Sequence, residues 1–347
     1  MPADTAEELE SLLDSARSEG QFSAASWAVG SSTRTLGSGV LGTPSESDEV
    51  GIGPRTLFDL ASVTKPIVGL TLLRLVGRGL VALDTTVGEV LLDWPDGPMA
   101  HADLRSLLTH ASGAPGPTPL FREHGDRESL LHALARLEFT APGQWCYSSM
   151  GFIALGLVAE RVGGAGLDDL VHREITGPLG MRDTRYGPVD RGDAVATEAC
   201  PWRGRLVRGT VHDENAEVLG GVAGHAGLFG TAEDLGRLGA ALLRGSLLEP
   251  ALQDAMTGRR DGRPLGWWPR ERCSFLDGTF DESAYGHTGF TGTSLVIDPS
   301  RDRWFCLLTN RVHPTREPRG FERVRADFHA VASRGAWGIE GSPASDR

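Results

Sequence analysis

A chain of 347 residues, 40% apolar and 23% charged, is composed like an ordinary soluble globular protein. It is long enough for two or three average domains, or for one large domain with an insertion. Its net charge of −12, with acids crowded into MPADTAEELESLLDSARSEG and GTPSESDEVG, gives no electrostatic reason to bind nucleic acid or an anionic membrane.

The N-terminus lacks the basic stretch and apolar run of a secretory signal, and no apolar segment is long enough to span a bilayer. The sequence therefore points to a cytoplasmic protein, unless a leader has been removed from it. Apolar residues recur at helical spacing over residues 5–18, and Gly20 offers a stop. FSAASWAVG (22–30) and TRTLGSGVLG (33–42) read as two short strands of a hairpin. A helix is expected from about Ser62 to Gly79. Between 85 and 260 the pattern is mostly helical, in DLRSLLTHASG, RESLLHALARLEF, SMGFIALGLVAERVGG, GLDDLVHREI and AEDLGRLGAALLRGS. The longest loops between these helices, 111–126 and 182–217, are of the length that forms functional rims. TSLVIDPS and RWFCLLTNR return to strands around a turn at Asp298–Asp302, and FERVRADFHAVASRG is a closing amphipathic helix.

The expected architecture is α/β. Residues 1–80 and 265–340 form a discontinuous sheet region, and residues 81–264 form a helical region bearing the active-site loops. Residues 341–347 are a flexible Ser/Gly/Pro tail. Cys146, Cys200, Cys273 and Cys306 are far apart and show no C-x-x-C spacing. They read as reduced thiols, without a disulfide framework or a zinc site.

Thirty-three of the 34 Lys and Arg residues are arginine, and Lys65 is the sole lysine. Arginine stays charged in proteins, whereas a lysine can lose its proton when desolvated, so a site needing a neutral amine cannot accept the swap. A structural ion pair is the plainer alternative. Pro66 would clash with the carbonyl of Ser62 inside a helix, so the helix should start within a residue or so of Ser62. Ser62 and Lys65 then share one face, beside free N–H groups that favour a developing oxyanion. That is a usable nucleophile–base arrangement, although S-x-x-K alone also arises by chance.

Two further segments strengthen it. PGQWCYSSMGFIALG puts Tyr147 at the end of a Gly/Pro loop before an apolar helix, and AYGHTGFTGTSLVIDP puts a Gly-rich turn before a strand. With these the chain resembles the serine β-lactamases and penicillin-binding proteins, in the class C β-lactamase-like branch with its esterases, D-peptidases and acyltransferases. The three elements of that family appear in order: S-x-x-K as SVTK at 62–65, Y-x-N as YSS at 147–149, and K-T-G as HTG at 287–289. LRSLLTHASG, GPLGMRDT and GGVAGHAGLFGTAEDL are also similar, and the resemblance spans roughly residues 20–335.

The resemblance implies a β-lactamase/transpeptidase-like fold, an antiparallel sheet flanked by helices with a mainly helical insertion. It implies Ser62 as acylated nucleophile, Lys65 and Tyr147 as the acid/base pair, and the backbone N–H groups of Ser62 and Phe290 as oxyanion hole. Which of Lys65 and Tyr147 holds the proton stays open, because two such groups titrate together. Ser149, His287, Thr288 and Gly289 would bind substrate, a small acyl ester or amide, with no metal and no cofactor. Ser149 stands where the family often has asparagine, and His287 where it commonly has lysine. The second change replaces a permanent cation by a group largely neutral at pH 7. Both favour an esterase, amidase or acyltransferase over a β-lactamase or wall peptidase. The acyl group, its acceptor and the oligomeric state stay open.

Two readings compete. Lys65 could be a Schiff-base lysine for pyridoxal phosphate, which needs a phosphate loop and an acidic partner that the sequence does not place. The chain could also be a non-catalytic binding module. GGVAGHAGLFG carries glycines at 221, 224, 227 and 230 but no G-K-[ST], so it reads as tight packing near the cleft, with His225 structural because no charge partner stands at motif spacing. His110 ends a helix, where it would meet terminal carbonyls. His212, Asp213 and Glu214 lack a metal-ligand pattern and read by default as a solvated turn, with a loop facing the substrate as the alternative. Trp267 and Trp268 either line a pocket or cover the sheet.

Overall fold

The computed structural model describes residues 2–258, 263–276, 278–317 and 319–337. The tail expected at 341–347 lies outside the described residues. One antiparallel sheet of six strands organises the fold, in the order Thr35–Gly42, Ala24–Gly30, Arg303–Thr309, Ser294–Asp298, Tyr285–Thr288, Trp268–Pro269. Chain ends far apart in sequence meet at its centre, where Ala25 pairs with Thr309 and Gly30 with Trp304.

All seven residues of Ala24–Gly30 are buried, which requires cover on both faces. The period-2 alternation of a strand supplies it. Ala25, Trp27 and Val29 pack with Phe305 and Leu307 against helices Pro2–Ser18 and Phe321–Arg334. Ala24 and Ala28 face the other way, with Trp304, Cys306 and Leu308, toward helix Ala232–Arg244. The sheet is thus flanked by helices on both sides, as the sequence leads one to expect.

The larger core lies beyond that second face. Helix Thr64–Gly77 is buried over most of its length and packs on helix Ser149–Gly163. A 3-10 turn, Ala61–Val63, leads into it, so the regular helix starts two residues later than the position of Pro66 suggests. Ser62 sits in that tight turn.

The segment 182–217 is more ordered than a loop. Arg185–Tyr186 and Phe58–Asp59 flank Leu228–Gly230 in a small sheet, and Ala196–Cys200 pairs with Arg205–Arg208. The register of that hairpin shifts between Ala196 and Ala199, and a bulge of this kind breaks the alternation by which a strand is read. Among the described residues no single helix is long and apolar enough to cross a membrane.

Candidate active site

Ser62 opens onto a cleft of about 490 Å³, walled by the 61–62 turn, the 117–122 loop, Tyr147 and Ser149, residues 212–215, Trp268 and the 288–290 turn. Lys65 lies beneath it, fully buried. Its Nζ is 2.9 Å from Ser62 Oγ and donates to the His225 carbonyl at 3.1 Å. The ring of Tyr147 is centred 5.0 Å from the same nitrogen. Among the described residues no carboxylate oxygen comes within 4.0 Å of Lys65, so its surroundings are not those of an ion pair.

Tyr147 is half-buried and boxed by rings, with His110 at 4.9 Å and Trp268 edge-on at 5.3 Å. Ser148 caps the following helix by accepting from Gly151 N–H at 3.1 Å. Ser149 is therefore the first helical residue, buried with one side on the cleft.

The strand Tyr285–Thr288 carries the third segment. Thr288, Gly289 and Phe290 line the cleft opposite Ser62. Thr291 Oγ1 donates to the Asp59 carbonyl at 2.7 Å and Thr293 Oγ1 to the Leu60 carbonyl at 2.9 Å. These bonds fasten the turn to the residues just before Ser62. Only glycine fits at 289, because a Cβ there would stand 2.5 Å from the Leu60 carbonyl oxygen. Arg311 and Arg325, which line the cleft together with Arg316 and Glu322, support the turn by donating to the carbonyls of Phe290 (2.7 Å) and Gly289 (3.3 Å).

His287 does not line the cleft. It is fully buried under Trp268, at 4.6 Å between rings, and its Nδ1 pairs with the Thr288 carbonyl at 2.8 Å. Burial, and then the charge of Lys65, push its pKa well below the usual value, so the imidazole is neutral. Trp268 does both things the sequence left open, lining the cleft and closing the sheet edge, whereas Trp267 is buried.

Three expectations need correction. His110 does not meet terminal carbonyls: its Nδ1 accepts the Ser148 N–H at 3.1 Å, and burial, then Lys65, push it down to about 3. His225 does have a charge partner, Asp213, at 2.9 Å through Nε2, while its carbonyl receives Lys65. The segment 212–214 is no solvated turn. His212 pairs with Glu198 at 3.0 Å, Arg316 bridges Glu198 and Glu214, and Asp213 caps the helix Glu214–Val218. Burial alone would raise the Glu198 carboxyl, but hydrogen bonds from His212 and Arg316 outweigh it and hold the group at about 2.

The sequence reading did not single out Asp59, Glu198, Arg311, Arg316 or Arg325. Each acts on a partner far along the chain, and residue type was the only signal.

With this geometry in hand, a family model described as Beta-lactamase matches residues 9–329. Among curated proteins the chain is 30% identical over 345 residues to an N-acetylmuramyl-L-alanine amidase of Bacillus subtilis (strain 168), covering 85% of this chain and 77% of that protein. Among solved structures it is similar to EstCE1, described as a hydrolase with promiscuous acyltransferase activity, with a TM-score of 0.74 at 19% identity over 97% of this chain and 99% of that one. A class C beta lactamase from Rhodobacter sphaeroides superposes with a TM-score of 0.72 at 21% identity, over 93% and 98% of the two chains. At such identities the structural likeness concerns the fold.

Proposed function

The chain belongs to the beta-lactamase family of serine hydrolases, and on that premise we propose that it cleaves or transfers the acyl group of a small ester or amide through an acyl-Ser62 intermediate. The observation that carries this reading is the contact at 2.9 Å between Ser62 Oγ and the buried Lys65 Nζ, which among the described residues has no carboxylate oxygen within 4.0 Å. Ser62 Oγ attacks the substrate carbonyl carbon while its proton passes to the Lys65–Tyr147 pair. The developing oxyanion is met by the N–H groups of Ser62 and Phe290. The pair then returns the proton to the departing alcohol or amine. Water, or a second alcohol or amine, attacks the acyl carbon in the same manner and frees Ser62 Oγ.

Substrate contacts in this reading come from Ser149, Thr288 and Gly289, with His287 acting on Tyr147 and Trp268 from below. A neutral imidazole there favours uncharged esters over carboxylate-bearing lactams and peptides. The sheet region and the helical region meet at the cleft, so the substrate lies between them. The test is a panel of esters and amides, each with and without an added alcohol or amine. Intact mass should show one acyl adduct on the Ser62 peptide, absent from Ser62→Ala. A stoichiometric adduct that persists in Ser62→Ala refutes the nucleophile.

A further inference from the structure

Asp59 stands three residues before Ser62 and is 1% exposed. Among the described residues no cationic side chain lies within 4.0 Å of its carboxyl. The carboxyl is taken up by backbone instead. Oδ1 accepts the Ala61 N–H at 2.8 Å and Oδ2 accepts the His212 N–H at 2.6 Å, while the Asp59 carbonyl accepts from Thr291 Oγ1. These partners belong to three different walls of the cleft. Ala61 itself has φ +46°, a left-handed conformation in which a Cβ is strained and which persists only when the surroundings impose it.

We propose that Asp59 is a positioning residue for Ser62, its two carboxyl oxygens clasping the Ala61 and His212 N–H groups so that the strained turn holds Ser62 Oγ at Lys65. The proposal rests on the reading of Ser62 as nucleophile. A carboxylate suits the task because it offers an acceptor on each side. Asparagine offers one acceptor and one NH2, and an NH2 facing a backbone N–H cannot bond it. One buried N–H is then orphaned, and Ala61 is free to relax toward negative φ, carrying Ser62 with it. A displacement of about 1 Å in a reacting group can cost on the order of a hundredfold in rate.

The test is a double-mutant cycle over wild type, Asp59→Asn, Ala61→Gly and the pair. The readouts are labelling of Ser62 by a fluorophosphonate probe, kcat and KM on a turned-over ester, and the thermal midpoint. Glycine adopts positive φ without a Cβ penalty, so a turn carrying it depends less on the clasp. Asp59→Asn should label roughly 10–100-fold more slowly, with the loss in kcat rather than KM. Ala61→Gly should then gain at least about fivefold more in the Asp59→Asn background than in wild type. The proposal is overturned by a labelling rate in Asp59→Asn within about threefold of wild type, or by an equal effect of Ala61→Gly in both backgrounds. If Asp59→Asn does not fold, a folded and reactive pair supports the proposal. A pair that also fails to fold assigns Asp59 to the fold and overturns it. Absence of wild-type labelling at Ser62 defeats the nucleophile reading itself and is told apart from these results at once.

Discussion

Lys65 Nζ is shared between Ser62 Oγ at 2.9 Å and the carbonyl of His225 at 3.1 Å. One contact is local, three residues along the chain, and the other reaches across to the glycine-rich 220–230 segment. The amine is therefore aimed by two independent parts of the fold.

The first prediction concerns that amine. Lys65→Arg keeps the charge but cannot act as a base, because guanidinium does not deprotonate in proteins. Loss of a general base typically costs about 10²–10⁴-fold. Steady-state kcat on any ester that the wild type turns over should fall by that much. A rate within tenfold of wild type would reduce Lys65 to a structural cation.

The second concerns the anchor of its other contact. A Cβ at Gly224 would stand 1.9 Å from the Phe152 carbonyl oxygen and 2.9 Å from Gly156 N, both backbone atoms of helix Ser149–Gly163. Neither can give way cheaply, so the neighbouring His225 carbonyl has to move off Lys65. Gly224→Ala should cost about 1–3 kcal/mol or more in chemical denaturation, and lower kcat more than KM. Wild-type stability in this variant would show that the loop has slack.

A third prediction follows from His287. It is buried and neutral at the position where the family commonly carries lysine, so the cations that line the cleft are arginines, among them Arg311, Arg316 and Arg325. A charge-assisted hydrogen bond is worth roughly 1.5–3 kcal/mol, or about 10–200-fold in kcat/KM. The wild type should favour a small neutral ester over a penicillin by such a ratio, and His287→Lys should narrow it. Efficient penicillin hydrolysis by the wild type, or a lysine variant with an unchanged ratio, would refute this.

The fourth is a response to acid. Burial first, then a nearby cation, pushes His110 and His329 down to about 3, and His287 lies well below its usual value. In the unfolded chain these groups titrate near about 6.5. Between pH 6.5 and 3 the unfolded state therefore holds more protons, so stability is complete above pH 6.5 and drains as pH falls. Each histidine contributes a slope of about 1.4 kcal/mol per pH unit. Urea midpoints taken from pH 7.5 to 4.5 should decline accordingly, and less steeply in His329→Met. A flat profile over that range would contradict the buried neutral state.

What the sequence made legible was local or periodic. The pairing of chain ends could be read from apolar strands at both, and the approach of Lys65 to Ser62 from a spacing of three. His225–Asp213, His212–Glu198 and Asp59–His212 could not be read. They join residues by tertiary placement, and an acid or imidazole in a polar stretch looks the same whether solvated or buried. The hairpin 196–208 was hidden for another reason, its irregular register.

The central pairing of Ala24–Gly30 with Arg303–Thr309 has a consequence for synthesis. While the ribosome is still adding residues, the Ser62 helix and the Tyr147 segment already exist, but the strands that carry Thr288, Gly289 and Phe290 to the cleft do not. Until they arrive, a strand whose every residue is buried in the finished fold presents an open edge, the kind of surface that holdase chaperones cover and that otherwise aggregates. Pairing across so much sequence is also slow. Arrested nascent chains ending before residue 285 should stay unlabelled by a serine-directed probe and should sediment with chaperone. On the reading of Ser62 as nucleophile, this layout makes the serine early and arms it last, so that it would stay silent until the strands at 285–309 have paired.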